Sequence, residues 1–308
     1  MTQRSTSAPE LAVVIPHYGD ATPTDALLRI LDAQRGVLEF DVVVSDDCSP
    51  IPYRLPSELA NHVTLVRRAR NGGFGSAVNT AVAQTTADMI LILNSDTSFG
   101  PDFLRDLLKA ARPWMPAVVS PRVKDRDGRD DWVGRKFPTL THQTVEWLTP
   151  LARWRDRIHG LVGHDVTAYG KTAVVDWVIG VAMLLPRRTF LDVGGFDERF
   201  FMNCEETDLQ RRLSANCVPS VVLADPSLTH LGGGSSPSAQ RRVWLSQSRA
   251  IYAAKWSKYA GLGRLRAALT GATMVNLLAN VARRAAGRRI DPLDIARTEL
   301  RLIWSKRN

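Results

Sequence analysis

The side chains best suited to chemistry sit directly behind short apolar runs. Pro16-His17-Tyr18 ends the LAVVIP stretch, and Asp46-Asp47-Cys48-Ser49 follows FDVVVS. Asn94-Ser95-Asp96 follows MILIL, and Glu205-Glu206-x-Asp208 comes after the aromatic run GGFDERFF. Taken singly, an acid behind a strand is a turn or helix cap. Four such clusters in one chain point further, because open α/β sheets hold ligands beyond the carboxyl ends of their strands. Asp96 is of the type that holds a hard divalent cation. Mg²⁺ or Mn²⁺ takes one or two protein carboxylates and completes its shell with substrate phosphate oxygens. That arrangement suits a diphosphate leaving group, whose developing charge the cation neutralises.

A second feature is the glycine-rich stretch Asn71-Gly72-Gly73-Phe74-Gly75-Ser76, with Asn79 three residues on. Glycines allow close backbone approach, and a helix N-terminus favours anions. The spacing matches neither a dinucleotide fingerprint nor a P-loop; a tight turn is the plain alternative. His62, His142, His159 and His164 show no ligand spacing and are expected at the surface. Cys48, Cys204 and Cys217 form no CxxC pair. A disulfide framework is not expected, which favours a reducing compartment. Trp132, Trp147, Trp154 and Trp177 suit sugar stacking or core packing equally, and Trp177 fits the core.

The elements that must position these residues follow from periodicity. Residues 11–16, 40–45, 63–66, 89–93 and 117–120 read as buried strands. Helical patterns lie between them, from Pro23 with Thr22 as cap, over 74–85 and over 101–111. This alternation predicts a mostly parallel sheet with helices on both faces. Residues 124–171 have no clear period and read as long loops with short helices over the sheet. Order returns over 174–185, a short helix near 187–193, a helix over 205–215 and a strand over 220–223. Residues 230–236 read as a Gly/Ser loop.

The chain has 308 residues, 40 Lys and Arg, and 31 Asp and Glu, for a net charge of +9. Residues 241–308 hold 15 basic and 3 acidic side chains, so the excess lies at the C-terminal end. The polar opening lacks a signal peptide's apolar core. No apolar run reaches membrane-spanning length. Residues 267–282, between Arg264, Arg266, Arg283 and Arg284, fit an interfacial or partner-packing helix. The expected division is a disordered segment 1–10, a domain 11–238 and a basic helical region 239–308.

Taken in order, these motifs resemble the inverting glycosyltransferases of family two, with the GT-A fold: an α/β, Rossmann-like, mostly parallel central sheet flanked by helices, here with a C-terminal helical extension. The resemblance covers residues 11–236, roughly three quarters of the chain. It implies that the middle domain 11–238 is catalytic, with a nucleotide-binding half 11–123 and an acceptor-binding half 124–238. VVIPHY is similar to the opening strand and implies donor contacts at Pro16, His17 and Tyr18. VVVSDDCS is similar to the nucleoside-binding strand end, with Asp46 reading the base. NGGFGSAVN implies donor contacts at Asn71, Gly73, Phe74 and Asn79. LNSDT stands at the DxD metal motif, with Asn94 and Ser95 toward the donor and Asp96 on Mg²⁺ or Mn²⁺. HLGGGSS implies that His230 joins the metal shell. GGFDERFFMNCEETDL resembles the segment carrying the catalytic base, and Trp177, Gly180 and Asp197 fall on the acceptor side. The motif set is similar to bacterial rhamnosyltransferases of cell-wall and surface-glycan synthesis, which use dTDP-L-rhamnose.

Two departures from the pattern stand out. Only one carboxylate remains at the metal motif, and the Glu-Asp pair reads Glu205-Glu206. Glu206 aligns with the base, and Glu205 is the alternative. The implied reaction is one in-line displacement with inversion, Glu206 taking the acceptor hydroxyl's proton. The implied partners are a nucleotide sugar, a lipid-linked or polysaccharide acceptor, and an anionic membrane surface. That places the protein in the cytoplasm, peripheral on the inner membrane face. A solvated basic face with a homodimer helix is the other reading of the C-terminal region. Transfer of another hexose from a UDP or GDP donor is the other enzymatic reading. A non-catalytic sugar-nucleotide sensor is a third. Nucleic acid is not an expected partner, because the acidic clusters would repel phosphates and no binding module is present.

Overall fold

The computed structural model describes residues 9–232, 238–256 and 261–305. The chain divides into two compact units. The first takes the described residues up to Arg135, then Thr167–Phe201 and Glu205 onward to residue 232. The second takes Lys136–Val166, Met202–Cys204 and the described residues from 238 on. Most of the aperiodic stretch 124–171 thus groups with the C-terminal helices, not with the sheet.

The first unit contains β1 (Leu11–His17), α1 (Ala21–Asp32), β2 (Phe40–Asp46), β3 (Thr64–Arg67) and α2 (Phe74–Val82). There follow β4 (Met89–Leu93), β5 (Thr97–Ser98), α3 (Phe103–Ala111), β6 (Val118–Lys124) and β7 (Gly134–Arg135). The second unit contributes α4 (Leu140–Trp147). The first resumes with β8 (Ala173–Val175), β9 (Trp177–Val178), β10 (Ala182–Pro186), α5 (Arg187–Asp192), α6 (Glu205–Ala215) and β11 (Ser220–His230). The sheet order is β3-β2-β1-β4-β10-β6-β11-β5, with β8 also on β11, and β7 pairs separately with β9.

Five consecutive residues of β1 and four of β4 are buried, as continuous apolar strands covered on both faces must be. β3, β2, β1 and β4 run parallel. β10 enters antiparallel to both β4 and β6, so the second half of the sheet is mixed. The register puts His17 opposite Asp46 and Leu93 opposite Ala182. The ends of β1, β2 and β4 and the start of β10 therefore share one sheet edge.

Three details differ from the periodicity. Asp20, not Thr22, caps α1: the helix starts at Ala21, so Thr22 lies inside its first turn and donates its N–H to the Asp20 carboxylate at 2.9 Å. Glu10 is already tied in, its carbonyl accepting from the Met89 N–H at 2.9 Å; the remainder of the expected disordered opening, residues 1–8, lies outside the described residues. β11 runs on past an irregularity between Val222 and Ser227, so His230 ends a strand instead of opening a loop. Residues 233–236 of that expected loop lie outside the described residues.

The second unit adds α7 (Ser238–Lys255), α8 (Leu262–Ala285) and α9 (Pro292–Trp304). Among the described residues, no helix is long and apolar enough to cross a membrane. α8 buries Leu265, Leu269 and Ala272 and, further along, the polar Thr273, Asn276 and Asn280, while Met274, Val275, Leu278 and Val281 are exposed, Leu278 at 71%. Asn276 makes the polar inner face possible. Its amide donates to the Trp147 carbonyl at 3.0 Å and to Glu299 at 3.1 Å, and its oxygen accepts from the Thr149 N–H at 2.9 Å. Removing one partner from a buried polar set costs about 1–3 kcal/mol. Asn276→Ala should therefore lower the unfolding free energy by about that much, read as a lower urea midpoint of the full chain; an unchanged midpoint would contradict the network's role.

Candidate active site

The glycine stretch folds into a clamp. Asp47, buried behind β2, accepts from the Gly73 N–H at 2.7 Å and the Gly72 N–H at 3.0 Å, and pairs with Arg68 at 3.2 Å. Burial outweighs these bonds and raises the Asp47 carboxyl above its ordinary range. Gly73 has φ +86°, and a Cβ there would lie 1.8 Å from the Phe201 carbonyl oxygen. The Phe74 N–H donates to that same oxygen at 3.2 Å. Gly72, Gly73 and Phe74 thus direct their N–H groups at Asp47 and Phe201, not at a phosphate. This corrects the anion-cradle reading, because the buried carboxylate already occupies the amides. Asn79 is also turned inward, donating to the Phe196 carbonyl and accepting from the Phe196 N–H, both at 2.9 Å. Its side chain braces the loop before α6 and is not free for a donor. Asn71 is exposed, its side chain accepting from the Gly73 N–H at 3.2 Å.

Asp46 is fully buried and likewise engaged. It accepts from the Ser49 N–H at 2.9 Å and the Tyr53 N–H at 3.1 Å, and pairs with Arg67. Burial opposes its charge, but these donors prevail and hold the carboxyl below its ordinary value. His17 is buried against Tyr53, ring centroids 4.4 Å apart, with Nδ1 2.8 Å from Thr24 Oγ1. Burial lowers its pKa despite nearby carboxylates, so the ring is neutral at pH 7. Of this first cluster, Tyr18 is the exposed member and Pro16 is partly buried.

The Asn94-Ser95-Asp96 turn follows β4, and all three residues are partly buried. Thr97 Oγ1 closes it by donating to the Asn94 carbonyl at 2.8 Å. The antiparallel pair β5–β11 sets His230 opposite Thr97, which brings His230 Nε2 to 3.2 Å from Asp96 Oδ2. Burial works against the Asp96 charge, but the His230 hydrogen bond and charge outweigh it and lower the carboxyl. The same bond raises His230 against its own burial. Arg126 adds a positive field, its guanidinium donating to the Leu231 and Gly232 carbonyls. Among the described residues, no group of three His, Cys, Asp or Glu side chains gathers for a metal. The pair nonetheless fits a hard cation that draws its other ligands from phosphates and water: it offers one carboxylate, and an imidazole that would ligate on giving up the proton it shares with Asp96, each with about a quarter of its side chain exposed.

The two candidate bases open α6, where the helix dipole favours acids. Glu205 is 4% exposed. Glu206 is partly buried, and its Oε2 has no hydrogen-bond partner among the described residues. Burial raises its pKa against the opposing field of Arg135. Asp208 forms an internal ion pair with Arg212 at 2.9 Å. Gln210 pins the helix: it accepts from the Val178 N–H at 2.7 Å and donates to the Val178 carbonyl at 2.8 Å. A side chain at Gly180 would start 3.9 Å from Glu206 Cβ and 3.7 Å from the Phe74 ring. The next residue, Val181, accepts from the Asn94 N–H at 2.9 Å. Phe74, Asn94, Gly180 and Glu206 therefore converge.

One acceptor-side expectation is engaged in an ion pair. Asp197 is spent on Arg199 at 2.6 Å. Trp177 lies in β9 opposite Arg135, partly buried, beside the Val178 that Gln210 grips. Sequence reasoning did not single out Arg126, Arg135, Tyr53 or Gln210. No motif spacing marks an isolated arginine or glutamine; the packing of β7, β9 and α6 brings in Arg135 and Gln210, and the end of β11 brings in Arg126.

Against known proteins, residues 12–170 match the family described as "Glycosyl transferase family 2". An N-acetylglucosaminyl-diphospho-decaprenol L-rhamnosyltransferase of Mycobacterium tuberculosis is 30% identical over 55% of this chain. The match spans 59% of that relative's length, so the chain covers about three fifths of it. Rhamnosyltransferase WbbL of Escherichia coli is 27% identical over 66% of this chain and 76% of its own. Among solved structures, the mannosyltransferase PcManGT from Pyrobaculum calidifontis, in complex with GDP-Man and Mn2+, aligns with TM-score 0.59 at 17% identity. That alignment covers 98% of this chain and 82% of the other, and it establishes a shared GT-A fold. With the family match running over just over half its length, this chain belongs to glycosyl transferase family 2.

Proposed function

We propose that the chain transfers a sugar, L-rhamnose from dTDP-rhamnose in first preference, to a hydroxyl of a lipid-linked or polysaccharide acceptor, with inversion. The observation that carries this reading is Glu206: a partly buried carboxyl with one unpartnered oxygen and a raised pKa, set at the converging strand ends. The two rhamnosyltransferase relatives support the sugar. The GDP-Man-bound structural neighbour keeps a different hexose as the second reading.

In this reading Glu206 Oε2 accepts the acceptor hydroxyl's proton as that oxygen attacks the anomeric carbon. The nucleoside diphosphate leaves from the opposite face. Gln210 and Gly180 fix the base in place, while the Asp47 clamp holds Phe74 and the α6 approach together. Asp96 and His230 would hold Mg²⁺ or Mn²⁺. That ion would supply charge neutralisation at the departing diphosphate. The exposed apolar stripe of α8, between Arg264, Arg266, Arg283 and Arg284, supports attachment to an anionic membrane surface.

Glu206→Gln should reduce turnover by about 10²–10⁴-fold with donor binding retained; near-normal turnover would move the base to Glu205. Because burial raises the Glu206 pKa, the base is lost to protonation at a higher pH than for an ordinary glutamate. The acid limb of kcat/KM should therefore lie above about 4.3, and a limb at or below it would contradict the assignment. Asp96→Asn and His230→Ala should each raise the Mn²⁺ concentration needed for half-maximal activity; an unchanged requirement would remove them from the cation site. In a thermal-shift panel of nucleotide sugars with Mn²⁺, dTDP-rhamnose should stabilise the chain most, and a larger shift with a UDP or GDP sugar would favour the second reading. Leu278→Glu should reduce flotation with anionic vesicles, whereas equal flotation would refute the role of the stripe.

A further inference from the structure

The second unit contains a cavity of about 980 Å³ that the sugar-transfer reading does not use. Six arginines line it: Arg153, Arg155, Arg242, Arg249, Arg283 and Arg288. Two glutamates face them. Glu146 pairs with Arg249, and Glu299 accepts from Asn276 at 3.1 Å. Arg283 donates to Asn280 Oδ1 at 3.0 Å, and Arg155 to the Glu146 carbonyl at 3.1 Å. Both are neutral acceptors, so the guanidinium charges are not cancelled. Among the described residues, Arg242 and Arg288 form no ion pair with any carboxylate, and both are exposed.

Like charges gathered around one cavity repel, and the cost falls when a polyvalent anion enters. Guanidinium forks match phosphate oxygens bidentately. The rest of the lining is apolar, with Trp147, Leu245, Ile295 and Leu302. A purely ionic ligand would leave that surface unused. We propose that this cavity binds an amphiphile bearing a phosphate or diphosphate, its anionic head on the arginines and its apolar portion on Trp147, Leu245 and Leu302. α8 supplies Asn280 and Arg283 to the cavity and turns Leu278 and Val281 outward. A ligand drawn from a lipid surface suits a helix built that way. The site stands whether or not the chain transfers a sugar.

Titration calorimetry of the full chain in EDTA, with inorganic pyrophosphate as probe, tests the head-group site. Saturable binding is expected, weakened at least tenfold by Arg242→Glu with Arg288→Glu and unaffected by Asp96→Asn. Both arginines are exposed, and a melting curve of the double variant verifies its fold; Arg288→Ala alone should weaken binding in the same direction. Absence of binding, or loss through Asp96→Asn with the arginine variant unaffected, overturns the site. A second arm uses phosphatidylcholine vesicles doped with a long-chain phosphomonoester or diphosphate lipid, against phosphatidylglycerol vesicles of equal charge. Tighter binding to the phosphate-headed vesicles, lost in the double variant, is expected. Equal binding to both vesicle types, or binding of pyrophosphate alone, overturns the amphiphile.

Discussion

A buried carboxylate organises the candidate site. Asp47 leaves the end of β2 and is held by two glycine N–H groups and Arg68. Without those partners a charge at this depth would be costly. With them, it fixes Gly73 in a left-handed conformation against the Phe201 carbonyl. The end of β2, the start of α2 and Phe201 are thereby linked through hydrogen bonds. The two candidate bases begin only four residues after Phe201, so their position follows from that contact.

Around this clamp the sheet does the rest. Parallel β1, β2 and β4 end at one edge, and antiparallel β10 begins there. The chain therefore meets the same edge from both directions. Glu206 then lies near Phe74 and Gly180, and Gly180 precedes the Val181 that receives the Asn94 N–H. A single short pairing, β5 on β11, brings His230 to Asp96 across more than a hundred residues. Opposed environments suit the two roles. The His230 hydrogen bond lowers the Asp96 carboxyl, while burial raises Glu206; the proposed cation-holding and proton-accepting roles call for that contrast.

Much of this was legible before any coordinates. Apolar runs such as LAVVI and MILIL read as covered strands, and four acidic clusters behind such runs point to one sheet edge. The α6 boundaries also followed from the pattern. The direction of β10 and the continuation of β11 to His230 were not legible, because both depend on pairing between distant segments. Nor was the difference between a polar residue facing a ligand and one consumed inside. Asn79 and Asp197 look like ligand contacts in a motif, yet their hydrogen bonds go to Phe196 and Arg199. The buried polar patch of α8 was not legible for the same reason. Its buried Asn276 is stabilised by Thr149, Trp147 and Glu299, which only the folded unit assembles.

At the centre stands one claim: a proton acceptor and a departing diphosphate act on opposite faces of one sugar carbon, in a single step. The anomeric configuration of the product, read by NMR from the donor that best stabilises the chain, tests it most directly. The account predicts a linkage of configuration opposite to the donor's. A product that keeps the donor's configuration would contradict it.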